Sequence, residues 1–271
     1  MNKRYLNIIL KRLSHLPKGK NFIKYASNSI NYKLKQKSRK LELTFPLDIM
    51  LEITNHCQLK CVTCAREYKH GMQMNRGNMD FKSVREFLTK YHIYLNKIGL
   101  TGLGEPLIYP YLEELLDVIK EINPGISVFI SSNCQLPNTV DILAKIASKF
   151  DTLQISIDGI GDTFNKIRQN AKFDFFEKNV KQISDLVSPR TFTPKLNMVV
   201  FEENYKQMLD VIYFSKKYKI SEIYFNSFNL VANDLPLEMY EFYYTQEFKY
   251  ELNNAIDLAR KFNIKDRKSV V

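Results

Sequence analysis

Apolar and polar positions along the chain follow two different periods. Short apolar runs predict six strands, at residues 49–54, 97–101, 127–131, 153–157, 195–201 and 222–227. Between them, apolar residues three and four positions apart predict helices, as do Leu112, Leu115 and Leu116 in a predicted helix over residues 111–121. Strand–helix units in succession are typical of parallel strands joined by crossover helices. The pattern therefore predicts an α/β fold, and six units favour a partial, open (β/α)6 barrel over a closed eightfold one.

The two ends of the chain carry helical patterns outside this alternation. Leu6, Ile9, Leu10 and Leu13 share one face of a predicted basic amphipathic helix, and residues 33–40 have the composition of a charged linker. The apolar run of this helix is far too short for a signal core or a membrane span. The helix either caps the barrel or makes a weak contact with an anionic membrane surface. We expect a basic helical N-terminal extension (1–44), a core barrel (45–235), and a C-terminal helix (237–262) within a final segment of helix and tail (236–271).

Composition and charge narrow the function only slightly. The 271 residues are 45% hydrophobic and 25% charged, which is ordinary for a globular chain with one large core. The formal net charge of +11 permits attraction to nucleic acid, anionic membranes or acidic substrates. The lysines are scattered rather than interleaved with aromatic residues, so no nucleic-acid motif is indicated. Four cysteines in a long chain without a secretion signal argue against a disulfide framework and favour the cytoplasm.

Three of the four cysteines lie together, directly after the first predicted strand. Cys57, Cys61 and Cys64 have the spacing C-x-x-x-C-x-x-C, and soft thiolates bind zinc or an iron–sulfur cluster. A structural zinc site needs four protein ligands, and the two candidates for a fourth, His56 and Cys134, have no usual zinc-finger spacing. A 4Fe-4S cluster held by three cysteines instead keeps one iron free for another ligand. The triplet alone leaves both kinds of site open.

Glycines and polar residues follow three further predicted strands. Gly102, Gly104 and Glu105 follow the second strand, Asn133 follows the third, and Ser156 and Asp158 end the fourth. Ligands of parallel α/β folds bind at the carboxyl ends of the strands, where the cysteine loop also lies. We therefore expect these residues and the cysteines to surround one ligand site. For the glycine turn, the alternative is a plain strand-to-helix loop.

Together these motifs resemble the radical S-adenosylmethionine (SAM) superfamily, and most of all the core domain of its SPASM and twitch enzymes. The resemblance covers residues 47–229 and implies a radical SAM partial barrel, in which Cys57, Cys61 and Cys64 hold a 4Fe-4S cluster whose free iron binds SAM. It also implies a SAM site in which Gly102, Gly104 and Glu105 bind the ammonium, Arg168 binds the carboxylate, and Asn133, Ser156 and Asp158 line the pocket. For Arg168, the alternative is a surface ion pair.

Three residues depart from the pattern of the family that the chain resembles. Leu103 and Cys134 stand where the family has glycine, and Thr63 stands where it often has an aromatic or large apolar residue near the adenine. Cys134 is expected to be a small, semi-buried residue rather than a ligand. SPASM and twitch enzymes carry further cysteines for auxiliary clusters, whereas no cysteine follows Cys134 here.

The resemblance implies a radical SAM enzyme. An electron from the cluster would break the sulfonium bond of SAM, and the resulting 5′-deoxyadenosyl radical would take a hydrogen atom from the substrate. The sequence does not identify this substrate, and we expect a peptide or a small metabolite such as a sugar or a nucleotide. Such an enzyme needs an electron donor such as a flavodoxin or a ferredoxin. The alternative is a non-catalytic zinc or iron–sulfur binding protein on the same scaffold.

Overall fold

A parallel sheet organises the part of the chain that the structure describes. The structure is a computed structural model, and it describes residue 10 and residues 13–38, 44–230 and 235–269. The strands within these residues are β1 (Asp48–Leu51), β2 (Lys60–Cys61), β3 (Lys97–Leu100), β4 (Ser127–Ser132), β5 (Thr152–Ser156), β6 (Arg168–Gln169), β7 (Thr193–Val200), β8 (Glu222–Ser227) and β9 (Lys265–Ser269). Seven of them form one parallel sheet in the order β1-β3-β4-β5-β7-β8-β9, while β2 and β6 pair antiparallel. The predicted α/β fold with a parallel sheet is confirmed.

Helices connect most successive strands of the sheet. They are α1 (Lys20–Ser38), α2 (Lys69–Met72), α3 (Phe81–Tyr91), α4 (Leu112–Ile122), α5 (Thr139–Ile146), α6 (Asp162–Ile167), α7 (Phe173–Asp185), α8 (Met208–Lys217) and α9 (Gln246–Lys261). The amphipathic pattern explains their packing, since α4 places Leu115, Leu116 and Ile119 in the common core.

The two faces of the sheet differ in polarity. In β5, Leu153 and Ile155 are fully buried in the core, whereas Gln154 and Ser156 are partly exposed on the opposite face. The same alternation of buried and partly exposed positions runs along the whole of β4 and β7. The helices therefore cover the apolar face, and the inner face of the open barrel is polar in β5.

All six predicted strands are present, with ends that differ by at most three residues from the prediction. The sequence does not predict the seventh strand, β9, because its residues are charged or polar rather than apolar. β9 pairs in parallel with β8, so described residues of the C-terminal segment continue the sheet.

Two other segments differ from the sequence prediction. Residues 237–262, predicted as one helix, form a 3-10 helix at Leu237–Tyr244 followed by α9, whose first turn is capped by the Thr245 hydroxyl. The predicted linker over residues 33–40 is wrong for its first six residues, because α1 continues to Ser38. The predicted helix over residues 6–13 lies mostly outside the described residues. Within the described ranges, no helix is long and apolar enough to cross a membrane.

Candidate active site

The cysteine loop after β1 forms one wall of a cavity. Cys57, Cys61 and Cys64 are partly buried, and all three line this cavity, whose volume is about 150 Å³. The buried guanidinium of Arg66 holds the loop from inside, because it donates to the carbonyl oxygens of Cys57 (2.9 Å) and Leu59. The chain itself therefore fixes the backbone that carries the three thiols.

The residues predicted for the site meet at the same cavity. Its wall consists of the three cysteines, Thr63, Thr101, Gly102, Leu103, Gly104, Glu105, Ser131, Ser132, Asn133, Ser156 and Arg168. Asp158 is the one predicted residue outside this wall, and it pairs with Arg168. The cavity thus lies where β1, β3, β4 and β5 end, as expected for parallel strands.

The short ribbon of β2 and β6 brings Arg168 to the cysteine loop. Arg168 pairs in register with Cys61, and its Nη1 atom lies 4.0 Å from the Cys61 Sγ atom. Its Nη2 atom lies 2.9 Å from Oδ2 of Asp158, and both side chains are buried. The buried Nε atom of Arg168 has no hydrogen-bond partner among the described residues. Because an unpartnered buried donor is costly, an acceptor that reached this Nε atom would stabilise the guanidinium.

Glu105 joins the glycine turn to the end of β4. Its Oε2 atom accepts a hydrogen bond from the Asn133 amide (2.8 Å), and its Oε1 atom accepts one from the Leu107 amide (3.2 Å). Burial of the carboxyl group raises the pKa of Glu105 to about 7, although these hydrogen bonds and the charge of Arg168 act in the opposite direction. A cation beside this carboxyl group would favour its ionised form.

Gly104 allows the glycine turn to approach the chain that follows β1. A Cβ atom on Gly104 would lie 2.1 Å from the carbonyl oxygen of Thr54, closer than any real contact. The next amide, that of Glu105, donates to the carbonyl oxygen of His56 (2.8 Å). The absence of a side chain at Gly104 therefore places Glu105 beside the cysteine loop.

Asn133 connects the end of β4 to Cys57. Its Nδ2 atom lies 3.5 Å from the Cys57 Sγ atom, and its Oδ1 atom accepts hydrogen bonds from the Gln58 side chain (3.0 Å) and the Gln135 amide (2.9 Å). The side chain lines the cavity as predicted, and its contacts hold the cysteine loop in place.

Burial keeps the three thiols neutral in the chain alone. Desolvation raises the pKa of Cys61 to about 12, and it also raises the pKa values of Cys57 and Cys64. The nearby charge of Arg168 lowers the pKa of Cys61, and that of Arg66 lowers the pKa of Cys57, but burial dominates. Since metals bind thiolates, binding of a metal group here would release protons and would weaken as the pH falls.

Comparison with known proteins places the chain in a family. Residues 51–214, which are more than half of the chain, match the radical SAM superfamily. The chain belongs to the radical SAM superfamily. The predicted family is therefore confirmed, and with it an enzyme family whose cofactors are a 4Fe-4S cluster and SAM.

Curated relatives match this radical SAM chain over part of their length. The tungsten-containing aldehyde ferredoxin oxidoreductase cofactor-modifying protein of Pyrococcus furiosus is 26% identical over 200 residues, covering 70% of this chain and 52% of that protein. The S-adenosylmethionine-dependent nucleotide dehydratase of a Thermoplasmatales archaeon is 29% identical over 150 residues, covering 55% of this chain and 49% of that protein. The chain spans about half the length of these curated relatives.

Solved radical SAM structures share the fold. Streptococcus suis SuiB bound to S-adenosylmethionine matches with a TM-score of 0.65 at 20% identity, over 94% of this chain and 57% of that chain. SuiB bound to precursor peptide SuiA matches with a TM-score of 0.63 at 21% identity, over 87% of this chain and 51% of that chain. This similarity shows the partial barrel fold.

The residues at the cavity fit the cofactors of the radical SAM family. His56 is exposed and Cys134 is fully buried, and neither candidate for a fourth zinc ligand lines the cavity. In the part of the chain that the structure describes, no three His, Cys, Asp or Glu side chains are arranged to hold a metal ion. A 4Fe-4S cluster binds each cysteine through a different iron, so its cysteines need not converge on one point. With the free donor of Arg168 beside them, the three thiols suit a cluster and SAM better than a closed zinc site.

Two residues that support the wall of the cavity are not predicted from the sequence. One is Arg66, which holds the cysteine loop, and the other is Glu52, whose Oε2 atom accepts a hydrogen bond from the Leu103 amide (2.7 Å). Glu52 lies within the first predicted strand, where a charged residue in an apolar run indicates a side chain facing a site. Arg66 follows Cys64 by two positions, and only the fold shows that it turns back to the loop carbonyls.

Gly104→Ala is expected to lower the free energy of unfolding by about 1–3 kcal/mol, because its methyl group would overlap the Thr54 carbonyl oxygen. Urea unfolding followed by circular dichroism measures this change. Gly77→Ala is the matched control, since a Cβ atom there meets no atom within 4 Å. Equal stability of the two variants would contradict the close approach of the glycine turn.

Glu105 is expected to make the stability of the cofactor-free chain depend on pH. Because its pKa rises from 4.5 to about 7 on folding, the folded chain binds a proton more tightly than the unfolded chain. The free energy of unfolding should therefore fall as the pH rises through this range, by up to about 3 kcal/mol. Urea unfolding at several pH values measures this slope, and Glu105→Gln should lack it. A parallel pH dependence in the two chains would contradict the assignment to Glu105.

Proposed function

We propose that this chain binds a 4Fe-4S cluster through Cys57, Cys61 and Cys64, cleaves SAM reductively, and takes a hydrogen atom from a polar substrate. The observation that carries the proposal is the shared cavity. Three partly buried thiols and an arginine with a free buried donor lie on one wall, at the carboxyl ends of four parallel strands. This arrangement supplies ligands for three irons and a cation for a carboxylate, which is what SAM bound to a fourth iron requires.

The roles of the remaining residues follow from their chemistry. Arg168 would bind the SAM carboxylate through its forked donors. Glu105 and the carbonyl groups of the glycine turn would accept hydrogen bonds from the SAM ammonium, since each carboxylate oxygen can accept a second bond. Asn133 and Ser156 would line the pocket. Asp158, which lies outside the cavity wall, would orient Arg168 through their ion pair. A bound cluster would supply the electron that splits the sulfonium bond of SAM and gives the 5′-deoxyadenosyl radical.

The inner face of the sheet supports a polar substrate, and we infer a peptide or a small metabolite such as a sugar or a nucleotide. Asn197 is the register partner of Ser156 at the cavity wall, and it hydrogen-bonds Asn226 on the next strand. Below them, the Lys195 ammonium lies 3.1 Å from Glu222 and 3.4 Å from the Tyr224 hydroxyl. Amide, hydroxyl and charged groups suit a substrate rich in hydrogen-bonding groups, because an apolar molecule would exclude water from this face without offering hydrogen bonds in return.

The relatives support both substrate classes. Their names describe modification of the cofactor of an aldehyde ferredoxin oxidoreductase and dehydration of a nucleotide, and SuiB is seen with a precursor peptide. The electron donor would be a flavodoxin or a ferredoxin, because such a cluster needs a one-electron reductant. The positive net charge of this chain would attract an acidic donor. The oxygen sensitivity of the cluster favours the cytoplasm.

Anaerobic reconstitution tests this proposal. The chain should take up four irons per molecule and form 5′-deoxyadenosine from SAM when dithionite is added. Chromatography measures the nucleoside, and a reaction without reductant is the control. A chain that binds zinc, takes up no iron and leaves SAM intact would support the non-catalytic alternative and overturn the proposal.

A further inference from the structure

Helix α1 attaches to the barrel through its polar face. The Tyr25 hydroxyl donates to the Asn96 side chain (3.1 Å), and Asn28 exchanges two hydrogen bonds of 2.9 Å with the backbone of Phe45. Phe45 and Asn96 precede β1 and β3. The helix therefore packs at the amino ends of the strands, at the opposite edge of the sheet from the cysteine cavity.

The opposite face of α1 is apolar and exposed. Ile23, Ile30 and Leu34 are 67%, 59% and 59% exposed. At 3.6 residues per turn, these three side chains fall within about 40° of one another around the helix axis, and they extend along about 16 Å of it. Ser27 lies between them on the same stripe. An amphipathic helix normally turns such a stripe toward the core, so its outward direction calls for a covering surface.

Lysines flank the stripe on both sides. Lys20 and Lys24 lie on one side and Lys33 and Lys37 on the other, and all four are exposed. Helix α1 contains five lysines and no acidic residue. Lysine side chains can extend their charged ends beyond an apolar surface while their methylene groups cover it. The outer face of α1 thus combines aliphatic side chains with two rows of positive charge.

The charge of this face selects among its candidate partners. A second copy of the same face would bring lysine rows against lysine rows, which is unfavourable. A bilayer containing anionic lipids is flat, so it meets both lysine rows at once and admits the aliphatic side chains between them. We propose that the outer face of α1 binds the surface of an anionic lipid bilayer, with the helix lying in the plane of the membrane.

The position of α1 is compatible with the activity of the enzyme. Because the helix lies at the amino edge of the sheet, a bound membrane would leave the cavity at the carboxyl edge open. This inference does not depend on the cluster or on the identity of the substrate.

Vesicle binding by the full chain tests the proposal. Vesicles of phosphatidylcholine with phosphatidylglycerol should bind the reconstituted protein at least tenfold more strongly than vesicles of phosphatidylcholine alone. Binding should weaken as salt rises from about 0.1 M to about 1 M, because the screening length falls from about 10 Å to about 3 Å. A variant with Ile23→Ser, Ile30→Ser and Leu34→Ser should lose at least tenfold in affinity and keep its 5′-deoxyadenosine formation. The matched control, Leu237→Ser with Tyr244→Ser and Tyr250→Ser, changes equally exposed residues elsewhere and should bind normally.

A fluorescent probe gives a second readout, because the chain contains no tryptophan. Emission from Ile30→Trp should shift to shorter wavelength with anionic vesicles, whereas emission from Tyr250→Trp should not. Absence of binding to anionic vesicles, or equal binding by the serine variant, would overturn the proposal. Binding of polyglutamate without binding of vesicles would assign the face to an acidic protein instead. Dissociation of a dimer by the serine substitutions would assign it to a second copy.

Discussion

Replacing Cys57, Cys61 or Cys64 by alanine is expected to abolish cluster binding and to reduce 5′-deoxyadenosine formation at least a hundredfold. Each thiol lines the cavity from one short loop, and a cluster with two protein ligands is poorly held. Iron and sulfide content, the visible absorption of the cluster and chromatography of the nucleoside measure the loss. Unfolding of the cofactor-free variants shows separately whether the loop has kept its structure.

The fourth cysteine is the control for this experiment. Cys134 is fully buried, lies outside the cavity wall and has a backbone φ of 55°. Cys134→Ala should cost about 1 kcal/mol of stability and leave iron content unchanged. If Cys134→Ala lost its iron as the other three variants do, the assignment of three ligands would be wrong.

Replacing Arg168 is expected to lower both the stability of the fold and the affinity for SAM, and a second substitution can separate these two effects. Arg168→Met should lower the free energy of unfolding by about 3–5 kcal/mol, because it leaves the Asp158 carboxylate buried without its counter-charge. It should also weaken SAM binding roughly tenfold to a hundredfold, as expected for a lost hydrogen bond to a charged group. Urea unfolding measures the first effect, and equilibrium dialysis with labelled SAM measures the second.

The double variant Arg168→Met with Asp158→Asn distinguishes the two roles. It should recover much of the stability, since neither charge is then left alone. It should not recover SAM binding, because the donors of Arg168 are still missing. Recovery of both properties together would show that Arg168 only supports the fold. If Arg168→Met alone kept its affinity for SAM, the SAM carboxylate would bind elsewhere.

The strands and most of the candidate site are predictable because their signals are local. An apolar run fixes each of the six predicted strands, and the polar residue at its end must then lie at the carboxyl edge. Ser156 and Asn133 are placed at the carboxyl edge in this way from the sequence alone, and both line the cavity. The cysteine triplet is equally local, since its spacing alone puts three thiols on one loop.

What the sequence leaves unpredicted depends on contacts between distant segments. Strand β9 carries charged residues, and only its pairing with β8 makes it a strand. Glu105 is buried where the glycine turn meets the end of β4. Nothing in the sequence of the turn indicates that burial would raise the pKa of Glu105. Arg66 donates hydrogen bonds to backbone carbonyl oxygens. Because every residue has such a carbonyl, the sequence does not indicate which ones Arg66 contacts.

The orientation of α1 shows a related limit. The helix lies within the predicted basic helical extension (1–44), but that prediction does not say which face of a helix meets the barrel. Here Tyr25 and Asn28 make the contact while the aliphatic stripe points outward. A polar face can anchor a helix when its groups find specific partners such as Asn96. The substrate is a further gap, because no spacing rule describes the polar groups on the inner face of the sheet.

The two-stranded ribbon of β2 and β6 contains both the Cys61 thiol and the Arg168 guanidinium. Anything that orders Cys61 also orders Arg168, because the two residues face each other in register. Binding of the 4Fe-4S cluster and binding of SAM should therefore be cooperative. The cluster must raise the affinity for SAM by the same factor by which SAM raises the affinity for the cluster. SAM should slow the escape of iron to a chelator, and a chain stripped of iron should hold SAM weakly.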